Sequence, residues 1–307
     1  MTDRFTSGFV AIIGRPNVGK STFLNRVLET KLSITTSKPQ TTRDRILGIY
    51  NAPDAQVIFL DTPGIHSPDK ELNRYMLEKA VSTIHDADLA LVVADPLETP
   101  EKLRSVMDHV SQAGREAILV LNKADLIGRE TALHKLRELG AGHRFVHSCA
   151  VSSTTGDGID PLLDEIKARL PEGPRYFPED MITDASLRFL CQELIREKVF
   201  TLTSKEIPYA VAVEIEEFRE TDPAHIGAVI HVERPSQKAI VIGARGRMLR
   251  EIGTQARHEI ERLLGCRVFL ELFVRVSRDW SKNPKRLRLS LIHISEPTRL
   301  LSNSYAV

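Results

Sequence analysis

The segment FVAIIGRPNVGKS, residues 9–21, decides the fold of the first half of the chain. The apolar run FVAIIG predicts a buried strand, and a stretch of helical period, residues 19–29, follows the turn. The turn itself, GRPNVGKS at 14–21, fits the pattern GxxxxGK[ST], in which glycines let backbone N–H groups surround phosphate oxygens at a helix start. We predict that Lys20 lies against terminal phosphates and that the Ser21 hydroxyl holds Mg²⁺. The predicted phosphate loop comprises Gly14, Arg15, Pro16, Asn17, Val18, Gly19, Lys20, Ser21 and Thr22.

Around this segment, short apolar runs alternate with amphipathic stretches as far as about residue 171. Nearly continuous Val, Ile and Leu runs separated by helices favour a mostly parallel sheet that is covered on both faces, an α/β fold. Only NAPD separates RILGIY (45–50) from AQVIFL (55–60), which is too short for a helical crossover, so this pair should form an antiparallel hairpin. The predicted strands are 9–14, 45–50, 55–60, 88–95, 116–122 and 144–151, and the predicted helices are 19–29, 71–85, 100–112, 129–139 and 158–170.

Two further motifs stand at the ends of predicted strands. After AQVIFL comes DTPG, with Asp61, Thr62, Pro63 and Gly64; its carboxylate can organise Mg²⁺ and the Gly64 N–H can contact a terminal phosphate. After EAILVLN comes the rest of NKAD, residues 122–125. Asp125 can accept hydrogen bonds from guanine N1–H and the 2-amino group, which adenine cannot supply, while Asn122 addresses the other base edge and Lys123 packs over the ring. The motifs therefore predict GTP, with GDP as its product, rather than ATP.

GRPNVGKS, DTPG and NKAD in this order resemble the G1, G3 and G4 motifs of Ras-like, translation-factor-class GTPases, over residues 8–171. The resemblance implies a Mg²⁺-binding threonine in KPQTTRDR (38–45), for which we favour Thr42 with Thr41 as the alternative. It also implies a base-contacting pair, Ser152 and Ser153 in VSSTTG, with SCA at 148–150 as a competing segment. The implied magnesium ligands are Ser21, Thr42 and Asp61, and the implied catalytic residues are Lys20, Thr42, Gly64 and Asn17.

The residue after Gly64 distinguishes this chain from Ras-like enzymes, in which a glutamine there positions water. Here that residue is Ile65, whose side chain cannot hydrogen-bond to water. Asn17 resembles the asparagine that ligates K⁺ in cation-dependent GTPases. We therefore expect slow hydrolysis that K⁺ stimulates, with Mg²⁺ as the other cofactor; the alternative is that Asn17 only caps the loop.

The pattern changes at PEGPRYFPED, 171–180, where three prolines mark a boundary. We predict a first domain over 1–171, a linker over 172–183 and a smaller α+β domain over 184–289. In the second domain a helix (184–202) precedes strands at 207–218 and 225–233; a short strand KAIVIG then leads through a turn into a helix (247–264) and a last strand (266–276).

The run AIVIGARGRMLREIG, 239–253, resembles the KH RNA-binding signature, and the element order resembles the type II KH arrangement. Its GxxG turn lets a nucleic-acid backbone approach a helix N-terminus closely and should hold about four nucleotides of single strand. Alternatively, the turn has only a structural role. The predicted RNA-binding residues are Gly243, Ala244, Arg245, Gly246, Arg247, Lys238 and Arg250.

Charge is distributed unevenly along the 307 residues, although the formal net charge is only +1. Residues 1–237 carry 28 Lys and Arg against 35 Asp and Glu, whereas residues 238–288 carry 13 against 5. A basic segment of this kind fits a polyanion-binding surface, although a solvated basic face would give the same count.

One G domain followed by one KH domain resembles the bacterial ribosome-assembly GTPases, over residues 5 to about 288. The resemblance implies binding of small-subunit (16S) rRNA near its 3′ end during maturation of the 30S subunit, and peripheral attachment to the inner membrane. A cytoplasmic location is expected, because the sequence has neither an apolar run long enough to span a bilayer nor a signal-peptide pattern. We also expect a monomer. An RNA chaperone whose nucleotide site only stabilises the fold is the second hypothesis.

The end of the chain departs from that family. The segment SLIHISEPTRLLSNSYAV, 290–307 after Arg288 and Leu289, lacks periodicity and carries only Glu296 and Arg299 as charges. We expect it to be a poorly ordered tail of foreign or misread sequence, with a natural variant end as the alternative.

Overall fold

The structure is a computed structural model that describes residues 5–36, 38, 41–65, 71–204, 206–278, 280 and 300–302. The chain divides into two compact units, Met1–Thr183 and Asp184–Val307. Each unit has its own sheet and its own apolar core, so each is described separately.

The first unit is a six-stranded sheet in the order β2-β3-β1-β4-β5-β6. Its strands are β1 (Thr6–Ile13), β2 (Ile46–Asn51), β3 (Ala55–Asp61), β4 (Leu89–Ala94), β5 (Glu116–Leu121) and β6 (His147–Ala150). Its helices are α1 (Lys20–Val27), α2 (Glu71–Asp86), α3 (Pro100–Ala113), α4 (Arg129–Gly140) and α5 (Ile159–Arg169).

The pairing within this sheet follows the apolar pattern of the sequence. Every residue of β3 and of β4 is buried, as is typical of parallel strands that are covered on both faces. The sheet is parallel throughout except that β2 runs antiparallel to β3, with Ile46 opposite Asp61. The predicted hairpin and the predicted mostly parallel sheet are therefore confirmed. Because β1, β3, β4 and β5 are parallel, their carboxyl ends meet at one edge, where the sequence motifs lie.

Residues of the predicted linker are hydrogen-bonded to strands β2 and β3 of this sheet. Gln56, fully buried, accepts hydrogen bonds from the backbone N–H groups of Tyr176 (2.7 Å) and Phe177 (3.0 Å). The Thr183 hydroxyl donates to the Leu47 carbonyl at 2.6 Å. A strand that we did not predict, β7 (Met181–Ser186), begins in this segment.

The second unit is built on a three-stranded sheet in the order β10-β9-β8, with β10 parallel and β8 antiparallel to β9. Helix α8 is strongly amphipathic and packs its apolar side, including Ile252, Ala256 and Ile260, into the core. The elements are α6 (Leu187–Leu202), β8 (Val211–Arg219), β9 (Ala224–Val232), α7 (Pro235–Ile242), α8 (Arg247–Leu264) and β10 (Val268–Val276).

The prediction of a strand at KAIVIG is wrong, because these residues belong to helix α7. Pro235 stands at the first turn, and the Gln237 side chain accepts hydrogen bonds from the N–H groups of Glu233 (2.9 Å) and Arg234 (3.0 Å). Proline at a helix start, followed by a glutamine that reaches back, is a helix-start signal that outweighs the β propensity of an isoleucine-rich run. The first part of the predicted strand 207–218 is likewise a short 3₁₀ helix, Ile207–Ala210.

Most of the tail over 290–307 lies outside the described residues. Within it, Leu300–Ser302 form a short strand, β11, that pairs with β7.

Candidate functional site

The loop between β1 and α1 curls tightly at three positions with positive φ. Gly14 has φ 150°, and a Cβ there would lie 2.2 Å from the Val93 carbonyl oxygen, so only glycine fits. Asn17 has φ 65°, and Gly19, with φ 98°, is the N-cap of α1. The loop thus directs backbone donors toward the N-terminus of α1, which favours a bound anion.

Lys20 is the cation of this loop, and it is buried. Its ammonium group donates to the carbonyl oxygens of Gly14 (3.2 Å) and Arg15 (3.0 Å). Burial lowers the pKa of Lys20 to about 8, and the carboxylates of Asp61 and Glu98 oppose that decrease. The ammonium group of Lys20 is therefore removed from water but hydrogen-bonded to the loop, in a position where it can pair with a phosphate group.

Three side chains from separate segments converge at the start of α1. The Ser21 hydroxyl donates to Asp61 Oδ2 at 2.7 Å and lies 2.8 Å from the Thr42 hydroxyl, which is 3.5 Å from the same carboxylate oxygen. Burial raises the pKa of Asp61, although Lys20 and the neighbouring hydroxyl groups counteract the increase. The sequence placed Ser21, Thr42 and Asp61 together, and the structure brings them into contact.

These residues fit a magnesium ion. Asp61 Oδ1 is buried and has no hydrogen-bond partner among the described residues, so it is available to the ion or to its water shell. Hydroxyl and carboxylate oxygens are the donors that Mg²⁺ takes. In the described part of the chain, no three or more His, Cys, Asp or Glu residues are grouped so that they could hold a metal ion.

The two adjacent threonines differ in their contacts. Thr41 Oγ1 donates to the Lys38 carbonyl (2.7 Å) and lies 2.8 Å from the Thr36 hydroxyl, whereas Thr42 Oγ1 meets Ser21. The geometry supports Thr42 rather than Thr41 as the ligand. Ser33, which we did not predict, donates to Asp61 Oδ2 at 3.0 Å.

The DTPG segment approaches the phosphate loop from the end of β3. A Cβ on Gly64 would lie 2.7 Å from the backbone nitrogen of Pro16, so the two loops touch there. Thr62 donates to the Ile12 carbonyl at 2.8 Å, Pro63 is buried, and Ile65 is buried in the core. Gly64 therefore reaches the site, while Thr62 anchors the loop and Ile65 faces away from it.

Asn122 joins the base-binding segment to the phosphate loop. Its Nδ2 donates to the Val18 carbonyl at 2.9 Å, and its Oδ1 accepts from the N–H (3.0 Å) and the hydroxyl (2.8 Å) of Ser153. Both ends of the amide are engaged within the protein. The structure thus gives Asn122 a bridging position, and its predicted contact with the base, for which Nδ2 has a second N–H, stays a prediction.

The remaining predicted base contacts surround this bridge. Lys123 donates to the Asn17 carbonyl (2.6 Å) and to Asp95 Oδ2 (3.0 Å), and Asp125 is exposed at the following 3₁₀ turn. Ser152 and Ser153 are both buried; the Ser152 hydroxyl accepts from the Thr155 N–H at 3.1 Å. The segment 148–150, our alternative, lies within β6.

A cavity of about 320 Å³ opens over these loops. Arg15, although in the predicted loop, points instead toward Glu98, at 3.8 Å from its carboxylate. Burial raises the pKa of Glu98, which the sequence patterns gave no reason to select. The cavity is lined by Pro16, Asn17, Gly19, Lys20, Ser21, Thr22, Ile34, Thr35, Thr36, Thr41, Thr42, Gly64 and Lys123.

In the second unit the GxxG residues form the turn between α7 and α8. Gly243 has φ 72°, and a Cβ there would meet Met248 Cβ at 2.7 Å. Gly246 has φ 76° and is the N-cap of α8. Ala244, Arg245 and Arg247 are exposed around the turn, and Lys238 is half-buried on α7. The turn therefore offers a helix N-terminus and two exposed cations.

A groove of about 480 Å³ runs from this turn between α8 and β10. Gly253 lets the helix approach Leu272, whose Cδ1 would lie 3.4 Å from an added Cβ. Of the predicted RNA-binding residues, Gly246 and Arg250 line the groove. Our sequence reasoning missed Arg257, which is two turns further along α8, on the same face as Arg250. The lining residues are Gly246, Leu249, Arg250, Gly253, Thr254, Arg257, Val268, Phe269, Leu270 and Leu272.

The fold and these two sites define a G domain followed by a KH domain. The sequence profile of a family described as "50S ribosome-binding GTPase" matches residues 9–123, and that of the "KH domain" matches residues 206–281.

Full-length relatives extend the similarity beyond the two profiles. The chain is 50% identical over 288 residues to GTPase Era of Geobacter sp. (strain M21), which covers 93% of this chain and 97% of that protein. It is 51% identical over 289 residues to GTPase Era of Syntrophus aciditrophicus (strain SB), covering 92% and 94%. The chain belongs to the Era family of GTPases.

Solved structures agree with this assignment. Aquifex aeolicus Era bound to GDP and AlF₄⁻ superimposes with a TM-score of 0.90 at 40% identity, covering 94% of this chain and 99% of that one. A structure of Era in complex with MgGDPNP and nucleotides 1506–1542 of 16S ribosomal RNA superimposes with a TM-score of 0.90 at 41% identity. It covers the same shares of the two chains. The predicted fold class, a G domain followed by a KH domain, is confirmed.

Proposed function

We propose that this chain binds GTP with Mg²⁺, hydrolyses it to GDP and phosphate, and binds small-subunit rRNA through its KH domain during maturation of the 30S subunit. The observation that carries the proposal is the convergence of Ser21, Thr42 and Asp61 beside the buried ammonium of Lys20. A chaperone that used nucleotide only for stability would not need this arrangement.

In the proposed reaction the protein acts by positioning and electrostatics. The backbone N–H groups of the loop and Lys20 would hold the β- and γ-phosphates, and Gly64, which lies against Pro16 of the phosphate loop, would supply an N–H to the γ-phosphate. Ser21, Thr42 and Asp61 would hold Mg²⁺, which would supply positive charge to the phosphate oxygens. Because Thr42 would be a ligand, the position of the loop that contains Thr42 would depend on whether Mg²⁺ is bound.

The same geometry bears on how fast hydrolysis is. Ile65 is buried in the core and cannot orient a water molecule. Among the described residues that line the cavity there are two lysines and no arginine. Asn17 is exposed and lines the cavity, and an asparagine side chain carries an oxygen of the kind that binds cations. These features support slow turnover that K⁺ accelerates by supplying the missing positive charge.

The groove of the KH domain supports binding of a single RNA strand. Arg250 and Arg257 lie on one wall, and the N-terminus of α8 faces the end of the groove at Gly246. The solved relative that holds nucleotides 1506–1542 of 16S rRNA supports the same class of ligand for this chain. Since binding free energies are reciprocal, RNA and nucleotide should change each other's affinity if they are coupled at all.

The sequence-based expectations on location and assembly remain proposals. No helix of the described residues is long and apolar enough to cross a membrane. We propose a cytoplasmic monomer with peripheral attachment to the inner membrane, on the resemblance alone.

One experiment separates the GTPase from the RNA chaperone. GTP turnover is measured with and without small-subunit rRNA, in K⁺ and in Na⁺ at equal ionic strength, for the wild type, Lys20→Ala, Asn17→Ala and Gly243→Asp. We expect no turnover in Lys20→Ala, loss of the K⁺ response in Asn17→Ala and loss of the RNA response in Gly243→Asp. Undetectable wild-type turnover with both RNA and K⁺ present would favour the chaperone.

A further inference from the structure

The segment that follows α1 is buried at its start, although it has no regular secondary structure there. Leu32, Ser33 and Ile34 are all buried, so two apolar side chains anchor the segment on either side of Ser33. Polar backbone groups in such a place need hydrogen-bond partners within the protein. The segment continues toward Thr42, the predicted magnesium ligand.

Asn25 supplies those partners from helix α1. Its Oδ1 accepts hydrogen bonds from the N–H groups of Leu32 (3.0 Å) and Ser33 (2.9 Å), and its Nδ2 donates to the Ser33 carbonyl at 2.7 Å. One side chain thus fixes the backbone of Ser33 relative to the helix. Asn25 lies one helical turn after Ser21, so the two side chains are on the same face of α1.

The fixed backbone places the Ser33 hydroxyl against the carboxylate of Asp61. Ser33 Oγ donates to Asp61 Oδ2 at 3.0 Å, and the same oxygen accepts from the Ser21 hydroxyl at 2.7 Å. Asp61 Oδ1 is buried and has no hydrogen-bond partner among the described residues. Because the donors meet on one oxygen, the carboxylate cannot turn about its Cβ–Cγ bond without losing them, and Oδ1 stays available.

Ser33 differs in one respect from the other hydroxyl groups near this oxygen. Ser21 and Thr42 are the predicted ligands of Mg²⁺, whereas Ser33 is not. Its hydrogen bond to Asp61 therefore does not depend on whether the ion is bound or on the position of Thr42. Mg²⁺ demands nearly ideal octahedral geometry, and groups that orient the residues around a metal ion change its affinity.

We propose that Ser33 is a positioning residue for the magnesium site, which fixes Asp61 through Oδ2 so that Oδ1 is left for the ion or its water shell, and that Asn25 acts through Ser33. The proposal rests on the proposed function, since it assumes that Mg²⁺ and guanine nucleotide are bound together. It gives Ser33 no contact with the nucleotide. Binding of nucleotide without the ion should therefore not depend on the Ser33 hydroxyl.

Nucleotide binding with and without Mg²⁺ tests this role. The affinity of the full-length chain for a fluorescent derivative of GDPNP, which is not hydrolysed, is measured in EDTA and over a Mg²⁺ titration, together with the melting temperature. The variants are Ser33→Ala, Asn25→Asp and their double mutant. Ser7→Ala is the matched control, because Ser7 is also fully buried and its hydroxyl donates to the Pro174 carbonyl at 2.7 Å. Ser7 lies at the opposite end of β1 from the phosphate loop.

In Ser33→Ala the Mg²⁺ concentration at half-maximal binding should rise about tenfold, as is typical when a group that orients a metal ligand is lost. The affinity in EDTA should equal that of the wild type. Asn25→Asp places an oxygen where Nδ2 donates to the Ser33 carbonyl, so it should raise the Mg²⁺ midpoint by itself and add nothing to Ser33→Ala. Ser7→Ala should lower the melting temperature and leave the midpoint unchanged.

A wild-type Mg²⁺ midpoint in Ser33→Ala would overturn the inference. An equal loss of affinity in EDTA and in Mg²⁺ would also overturn it, because it would show a general structural role. Effects of Ser33→Ala and Asn25→Asp that add in the double mutant would overturn the part assigned to Asn25. A wild type that does not bind the GDPNP derivative, or that binds it equally well in EDTA and in Mg²⁺, would contradict the proposed function itself, before the variants are compared.

Discussion

The hydroxyl of Ser21 lies 2.7 Å from Asp61 Oδ2, although Ser21 follows β1 and Asp61 ends β3. The contact exists because β1 and β3 are adjacent and parallel, with Ile12 opposite Asp61, so that both carboxyl ends meet at one sheet edge. The Ser21 hydroxyl and the Asp61 carboxylate are thus brought together by the order of the strands in the sheet.

Replacing Asp61 by Asn should raise the Mg²⁺ concentration that half-maximal GTP turnover requires. The amide keeps the size of the side chain and can still accept hydrogen bonds from Ser21 and Thr42, but it lacks the charge that favours the ion. We expect turnover to fall by about 10²-fold or more, as is typical when an electrostatic contact to a transition state is lost. A Mg²⁺ titration of turnover checks this, and a variant with wild-type rate and wild-type Mg²⁺ midpoint would contradict the assignment.

The close contact between Gly64 and Pro16 predicts that Gly64→Ala weakens GTP binding. The added Cβ would lie 2.7 Å from backbone, which cannot yield as a side-chain end would, so the two loops must separate. We expect a loss of about 1–3 kcal/mol in stability and a lower affinity for GTP.

Gly140→Ala is the matched control, because no atom lies within 4 Å of its added Cβ and Gly140 is the last residue of helix α4. Its stability should not fall, since alanine is more favourable than glycine in a helix. Denaturant unfolding and calorimetric titration measure both quantities, and equal effects of the two substitutions would show that the loop contact is unimportant.

Arg257→Gln should weaken binding of single-stranded RNA and reduce its salt dependence. One phosphate contact fewer lowers the slope of log K against log salt by about 0.7. Arg262→Gln serves as the control on the same helix, since Arg262 lies outside the groove and pairs with Glu259 at 3.5 Å. Fluorescence anisotropy over a range of salt concentrations distinguishes them; identical slopes for the two variants would exclude Arg257 from the RNA path.

Cys149 should react slowly with thiol reagents, although it is not fully buried. Cys149 is half-buried, yet burial raises its pKa to about 12, with Glu165 adding to the effect. The thiolate is the reactive form of cysteine. Because the pKa of Cys149 is raised, little of its thiol is ionised at pH 8, and the ionised fraction grows only as the pH approaches the pKa. Cys191 is buried and its pKa is also raised.

We therefore expect slow labelling of Cys149 and Cys191 by a thiol reagent at pH 8, and rapid labelling of both in denaturant. Mass spectrometry of peptides assigns the sites. Rapid modification of Cys149 in the native chain would contradict the environment described for it.

A site residue can be predicted from the sequence when it belongs to a motif of known spacing. Ser21, Asp61 and Asn122 could be placed because each belongs to a motif at the end of a strand, and parallel strands bring such ends together. Ser33 and Arg26 belong to no motif. Their contacts, with Asp61 and with the Ser153 carbonyl, depend on the path of the chain between elements.

Two other differences have local causes. Thr41 and Thr42 are equivalent in sequence, and only the direction of each hydroxyl distinguishes them. Helix α7 was predicted as a strand because its isoleucines and valine favour β structure, while the capping by Gln237 decided otherwise. Arg257 could have been found by following the face of α8 from Arg250 at helical spacing.

The most direct test of the account is a calorimetric titration of the wild-type chain with GTP and with ATP, each in the presence of Mg²⁺. The account predicts saturable binding of GTP at one site and no detectable heat with ATP over the same range. A pocket that stays empty at millimolar GTP, or that takes ATP with equal affinity, would contradict it.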